Sequence, residues 1–352
     1  MQRSTKAVLP QFIELGKHKI DDLASILTRH KVTHRKVLVL YDDTTARIRG
    51  EKIVATLRRK AESAQGDIVE NSDTANVSRI ESVIKNNAPG LVIGFGGGKV
   101  LDVAKLAAGS QHVMFISVPT TLSNDGLASP VSVIKDARNI PVSHITVPPY
   151  GVVIDIDVVK NAPRRHLLAG VGDLMSNLSA VFDARLAQQQ KAETIDTDAL
   201  ALAEAGGVKM LELKTRAIGS TIFLRNLAQG LIKSGFAMCI WGTSRPASGS
   251  EHKISHSIDH YFPPSKALHG EQVGIAAIFT MAMQHNTCLR PLRAFYDGIG
   301  FPTKLSYLDI NTDEFVKVVL HATKIRPERY TILEKLKPTA TDVRRVLKRA
   351  GL

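Results

Sequence analysis

The tightest constraint on this chain of 352 residues is the stretch GFGGGKVLDVAK at 94–105. Before it, Leu91 to Gly94 (LVIG) is a short apolar run of the kind that forms a buried strand, and after it Val100 to Ala108 repeats apolar residues at helical spacing. A strand, a glycine turn and a helix start leave unpaired backbone N–H groups and the positive end of a helix dipole directed at one place. Such a place suits an anion, most often a phosphate. The run is not the usual dinucleotide fingerprint, because Gly94 and Gly96 begin G-x-G but Lys99 stands where the last glycine belongs, and the G-K-S/T of a P-loop is missing. Close packing of strand against helix is the competing explanation for the glycines.

The surrounding residues extend the pattern. Lys36 to Tyr41 reads as a strand, Arg47 to Ala64 as an amphipathic helix, Asp67 to Glu70 as a short strand, Asn76 to Lys85 as a helix and Val113 to Val118 as a strand. This alternation predicts a parallel sheet with helices on both faces, binding ligands at the carboxyl ends of its strands. Beyond Asp155 strand signals fade and long helical stretches take over, such as Asp196 to Leu213 and Ser220 to Ile232. The expectation is an α/β dinucleotide-binding domain over 1–160 and an all-α metal- and substrate-binding domain over 161–352, with the default site in the cleft between them.

Composition adds limits. A hydrophobic content of 44% with 22% charged residues is ordinary for a globular protein. The start, MQRSTKAVLPQF, lacks the apolar core of a signal peptide, and no run approaches the ~18 apolar residues of a membrane span. Two cysteines, Cys239 and Cys288, form neither a metal spacing nor a disulfide framework. A cytoplasmic protein that does not span a membrane is expected. The net charge of +13 is spread over TRHKVTHRK at 28–36, LRRKAE at 57–62 and DVRRVLKRAGL at 342–352, without interleaved aromatics, so it reads as a solvated basic surface and no nucleic-acid partner is expected.

Two further stretches carry chemistry. PTTLSNDGLASP at 119–130 follows a strand and offers Thr120, Thr121 and Ser123 to a cofactor and Asp125 to a substrate; a turn-rich loop capped by Asn124 and Asp125 is the plainer alternative. Four of the twelve histidines lie in SEHKISHSIDHYFPPSKALHG at 250–270. Ser248 or Ser250 can cap a helix there, placing His252 and His256 on one face, and the Pro-Pro turn can fold His269 back toward them. Two imidazoles and a carboxylate make a three-ligand metal site with open positions, which favours zinc. The expected carboxylate is Asp173, in AGVGDLMSN; His260 is set aside.

With these motifs in this order, the chain resembles the dehydroquinate synthase-like superfamily of metal-dependent alcohol dehydrogenases, and within it the archaeal sn-glycerol-1-phosphate dehydrogenase family. GFGGGKVLDVAK, PTTLSNDGLASP and KIRPERYTIL at 324–333 carry the closer match, and the resemblance runs over nearly the whole length. It implies a Rossmann-like amino half and a helical carboxyl half. It implies NAD or NADP on Gly98, Lys99, Val100, Leu101, Asp102, Thr120, Thr121, Leu122, Ser123 and Ser129. It implies Zn2+ on Asp173, His252 and His269, and Asp125, Asp173 and His256 as substrate-contacting and catalytic residues, so that the two helical histidines divide between metal and substrate.

The implied reaction is reduction of dihydroxyacetone phosphate to sn-glycerol 1-phosphate for archaeal ether lipids, with zinc polarising the carbonyl. His256 or a water beside the metal relays the proton, since imidazole titrates near neutral pH. A homo-oligomer is expected. The runner-up is a glycerol or other polyol dehydrogenase on the same scaffold, and a remote alternative is a basic nucleotide-binding module contacting nucleic acid. Lys253, Lys266 and Arg245 are the candidates for holding the substrate phosphate, and Asp42 and Asp43, at the end of the first strand, do not decide between NAD and NADP.

Overall fold

The computed structural model describes residues 7–32 and 35–352, so residues 1–6 of the leading stretch and Thr33 and His34 of the first basic run lie outside the described residues. The chain divides into two compact units. One holds the chain up to Leu122 together with Gly126–Pro163, and the other holds Ser123–Asp125 and Arg164–Leu352.

The first unit is built on a six-stranded sheet in the order β1-β8-β5-β4-β2-β3, from β1 (Phe12–Gly16), β2 (Lys36–Tyr41), β3 (Ser63–Ile68), β4 (Leu91–Gly96), β5 (Met114–Pro119) and β8 (Gly151–Asp155). Every pairing in it is parallel. The inner strands β2, β4, β5 and β8 are almost entirely buried, and their apolar runs are what a parallel sheet covered on its faces requires. The helices of this unit are α1 (Leu23–Arg29), α2 (Asp43–Thr45), α3 (Glu51–Arg58), α4 (Thr74–Asn87), α5 (Gly98–Ser110) and α6 (Ile156–Val159). An antiparallel hairpin, β6 (Val131–Lys135) and β7 (Pro141–Ile145), completes it.

Three local expectations change. The helix expected over 47–64 ends at Arg58, and the strand expected at 67–70 begins at Ser63. That strand, SAQGDI, lies at the sheet edge, where polar residues are tolerated and the apolar signal is lost. Strands β1 and β8 and the hairpin had no reading in the sequence; each is only five residues long.

The second unit is helical, with no strand among its described residues: α7 (Arg164–Gln189), α8 (Thr197–Leu211), α9 (Thr221–Trp241), α10 (Ser250–Tyr261), α11 (His269–Gln284), α12 (Leu289–Ile299), α13 (Thr312–Ala322), α14 (Ile332–Leu336) and α15 (Ala340–Ala350). Asp196 and Ser220, expected as helix starts, are the caps: their side chains accept from the backbone N–H of Ala199 and Phe223. Helix α7 is buried on all sides from Leu167 to Val181, the mark of a central core helix. Among the described residues no helix is long and apolar enough to cross a membrane.

Candidate active site

In the first unit, β4 and β5 are neighbours whose last residues pair, Gly96 with Pro119, so the glycine turn and the hydroxyl loop leave the sheet side by side. The Thr120 N–H donates to the Gly96 carbonyl at 2.9 Å. Two of the glycines answer to packing inside the protein. A Cβ on Gly94 would lie 3.0 Å from the Phe115 ring and 3.2 Å from Ala104 Cβ, and one on Gly96 would lie 2.6 Å from Val100. Gly97 is different: it caps α5 without any side-chain cap, and a Cβ there would meet only Thr121, at 3.6 Å. The open end of the helix thus sits at Gly97 and Gly98, beside a threonine hydroxyl, as a phosphate cradle requires.

The other residues of this group are placed unequally. Lys99 is exposed, donates to the Glu70 carbonyl at 3.0 Å and lies 3.7 Å from Asp42. Val100, Leu101, Leu122 and Ser129 are buried, so a ligand would meet their backbone and not their side chains. Asp102 is 3.8 Å from the buried Lys105 ammonium, which donates to the carbonyls of Gly126, Ser129 and Val131 and ties the loop to α5.

In the second unit, glycines do a second job. A Cβ on Gly172 of α7 would lie 2.0 Å from the Gly270 carbonyl oxygen of α11, and one on Gly270 would lie 1.8 Å from the Ala169 carbonyl oxygen. The two helices therefore touch backbone to backbone. The residues beside these glycines, Asp173 and His269, are brought together, with His269 Nε2 3.7 Å from Asp173 Oδ1.

Helix α10 brings the third member. Neither Ser248 nor Ser250 caps it, contrary to expectation. Its cap is Gly249, whose N–H donates to Glu251 at 2.6 Å, and the Ser250 N–H and hydroxyl both donate to Asp183 of α7, at 2.8 and 2.6 Å. A buried carboxylate from another helix replaces the local cap. Within this first turn, His252 Nδ1 is 2.9 Å from Glu251 Oε1, and the His252 and His269 rings lie 5.0 Å apart. One ligand atom from each of Asp173, His252 and His269 falls within 4.8 Å of the others. His256 is outside that group, its ring 6.5 Å from that of His269, although it shares a helix face with His252. His260 points elsewhere and stacks on His321.

The donor set fits a divalent cation. Glu251 engages Nδ1 of His252, and the Ser255 hydroxyl is 3.3 Å from Nδ1 of His269, which leaves both Nε2 atoms for a metal. Burial, then the Arg326 and Arg329 charges, holds His252 down at about 3. Burial, then His252 and Arg326, does the same for His269, so both rings are neutral ligands at pH 7. Asp173 is driven well above the usual carboxylate range by burial, then by Asp125 and Glu251, a mutual repulsion that a bound cation would relieve. The Asp125 N–H donates to Asp173 Oδ2 at 2.9 Å, which leaves Oδ1 as the ligand atom.

Behind Asp125 stand residues that carried no signal in the sequence. The Ser234 hydroxyl donates to Asp125 Oδ2 at 2.7 Å and accepts from the Asn177 amide at 2.9 Å. Burial, then Arg326 and the other two histidines, pushes His256 well below its ordinary value, away from the near-neutral titration expected of a proton relay. Two of the phosphate candidates are also consumed internally. Lys253 is buried against Glu334 at 2.6 Å, and Arg245 is buried against Glu193 at 2.5 Å. Lys266 stands in solvent, 3.1 Å from Asp309.

Residues 14–163 match the model of the iron-containing alcohol dehydrogenase family. Over 99% of both chains, the sequence is 36% identical to glycerol-1-phosphate dehydrogenase (NAD(P)+) of Thermofilum pendens. The chain belongs to the glycerol-1-phosphate dehydrogenase family. Another relative, the glycerol-1-phosphate dehydrogenase (NAD(P)+) of Thermococcus kodakarensis, is 38% identical, with 93% of this chain and 92% of that one covered. The fold of this family member is shared with the crystal structure of glycerol dehydrogenase from Schizosaccharomyces pombe, at a TM-score of 0.78 and 21% identity over 98% of this chain and 90% of that one.

Proposed function

We propose that this protein reduces dihydroxyacetone phosphate with NADH or NADPH to sn-glycerol 1-phosphate, a backbone for ether lipids, and that zinc is its metal. The observation that carries the reading is the Asp173, His252 and His269 group, joined through a hydrogen bond to Asp125, in a chain 36% identical to a glycerol-1-phosphate dehydrogenase. One carboxylate and two neutral imidazoles are a three-ligand set that favours zinc and leaves coordination open. When bound, the metal supplies Lewis-acid polarisation of the substrate carbonyl. A bound nicotinamide dinucleotide would supply the hydride, and the backbone at Gly97 and Gly98 would hold its pyrophosphate.

The chain's own residues do the rest. Asp173 offers Oδ1 to the metal because Asp125 holds Oδ2. Ser234 engages one oxygen of Asp125 and so orients the carboxylate, which accepts from a substrate hydroxyl. His256, kept neutral by its half-buried surroundings, orients a substrate oxygen through a ring N–H, and the proton that completes the reduction would come from a water beside the metal-ligand group. Lys99 and Asp102 flank the cofactor turn. Cys239 and Cys288 are not joined in a disulfide, in keeping with a reducing cytoplasm.

The test is turnover with chiral analysis. Purified protein should oxidise NADH or NADPH when given dihydroxyacetone phosphate and release the sn-1 phosphate. A product of opposite hand, or a preference for unphosphorylated dihydroxyacetone, would overturn this assignment, the latter in favour of a polyol dehydrogenase.

A further inference from the structure

A neutral histidine offers the Nε2 lone pair to a metal only while its proton sits on Nδ1, and the group beside Nδ1 decides where that proton sits. For His252 that group is the Glu251 carboxylate, which can only accept. For His269 it is the Ser255 hydroxyl, at 3.3 Å, which is able to donate as well as accept. What Ser255 does there is settled by two side chains beyond it.

Ser255 and Asp259 lie four positions apart on α10, and His269 and Gln272 three positions apart on α11, so each pair shares one face of its helix. Where the two helices pack, the four side chains alternate into a single chain of hydrogen bonds. Ser255 and Gln272 are fully buried and Asp259 nearly so, which keeps bulk water from competing for these bonds. The direction of every bond follows from the far end. The Asp259 carboxylate only accepts, and the Gln272 amide nitrogen donates to its Oδ1 at 2.9 Å. That turns the Gln272 amide oxygen toward Ser255, whose hydroxyl donates to it at 2.5 Å. A hydroxyl has one proton, and with this one committed to Gln272 the Ser255 oxygen can only accept from His269. The ring proton is therefore on Nδ1, and Nε2, 3.7 Å from Asp173 Oδ1, is left to the ligand group.

We propose that Asp259, Gln272 and Ser255 are positioning residues for the metal: together they fix the tautomer of His269 and aim its Nε2 at the ion, a role that Glu251 performs for His252 in one step. This rests on the reading that Asp173, His252 and His269 hold zinc. An uncharged amide at position 259 would let the chain run backwards. Asparagine there can donate to the Gln272 oxygen, the Gln272 nitrogen then donates to Ser255 and Ser255 to His269 Nδ1, which puts the ring proton on Nε2 and closes that atom to a metal.

The experiment compares wild type with Asp259→Asn, which keeps size and shape, and with Gln272→Met, which removes the acceptor of the Ser255 proton. Each protein is isotope-labelled in its histidine ring nitrogens and stripped of metal, and NMR correlation of ring nitrogens with ring protons reads the tautomers, His252→Ala and His269→Ala supplying the assignments. Zinc affinity is then measured by competition with a chelator. In wild type both rings should carry the proton on Nδ1. In both variants the His269 ring should shift toward the Nε2–H form, while the His252 ring, held by Glu251, stays as in wild type; a general loosening of the fold would not single out His269. Zinc affinity should fall by about 10- to 100-fold in Gln272→Met and by less in Asp259→Asn. A wild type with the His269 proton on Nε2 overturns the proposal. So do variants whose His269 ring does not shift, whatever their zinc affinity, and a ring that shifts with no loss of zinc affinity. If Gln272→Met does not fold, Asp259→Asn decides alone. A wild type that binds no zinc, yet shows the His269 shift on Asp259→Asn, removes zinc from the proposed function and leaves the tautomer assignment standing.

Discussion

Gly172→Ala places one methyl group where α7 meets α11, and its cost follows from three distances. The new Cβ would lie 2.0 Å from the Gly270 carbonyl oxygen and 2.9 Å from both the Gly270 carbonyl carbon and the Phe301 ring. An ordinary contact between carbon and carbonyl oxygen is about 3.3 Å. The helices must therefore part by roughly 1 Å, and no rotamer change can relieve the closest contact, since it is with the Gly270 backbone. Overpacking of this kind destabilises by about 1–3 kcal/mol. The same displacement separates Asp173 from His269, and metal coordination tolerates only about 0.2 Å. Zinc affinity, measured by competition with a chelator, should fall by at least about 10-fold, and the metal-free protein should melt earlier. Gly219→Ala is the control, because a Cβ there meets nothing within 4 Å, and it should be neutral or slightly stabilising. If Gly172→Ala keeps wild-type zinc affinity and stability, the backbone contact does not set the ligand geometry and the reasoning fails.

Two other outcomes are expected. His252→Ala should lose bound zinc and activity together, whereas His256→Ala should keep its zinc and raise KM or lower kcat; equal zinc loss in both would show that the i, i+4 pair chelates jointly. Glu14 is raised by burial but held at about 2, from an ordinary 4.5, by hydrogen bonds from Lys19, His30 and Arg29. A depressed carboxyl contributes stability above pH 4.5 that is lost as pH falls toward 2, here on the order of 1 kcal/mol after solvent screening. Acid unfolding of Glu14→Gln should accordingly show a shallower pH dependence across that window, and a slope equal to wild type would refute the assignment.

The sequence alone determined what depends on short range. The apolar runs at Leu91 and Val113 are buried strands because a parallel sheet excludes water from its central members, and the helices beginning after Asp196 and Ser220 follow from their caps. The local order of strand, glycine turn and helix was legible for the same reason. Strands β1 and β8 were not, being too short for a period to emerge, and neither was the polar edge strand β3. In the site, the candidates were legible as residue types but their partners were not. Spacing makes His252 and His256 equivalent, whereas the approach of α11 to α7 at Gly172 and Gly270 sets Asp173 with His269, and the placement of α10 adds His252 to them and leaves His256 aside. The cap of α10 comes from Asp183, which also accepts from the Ile332 N–H, 149 positions further along the chain. Hydrogen bonds and ion pairs act over about 3 Å, so which groups meet is decided by how helices pack in space, a quantity that no local pattern along the chain encodes.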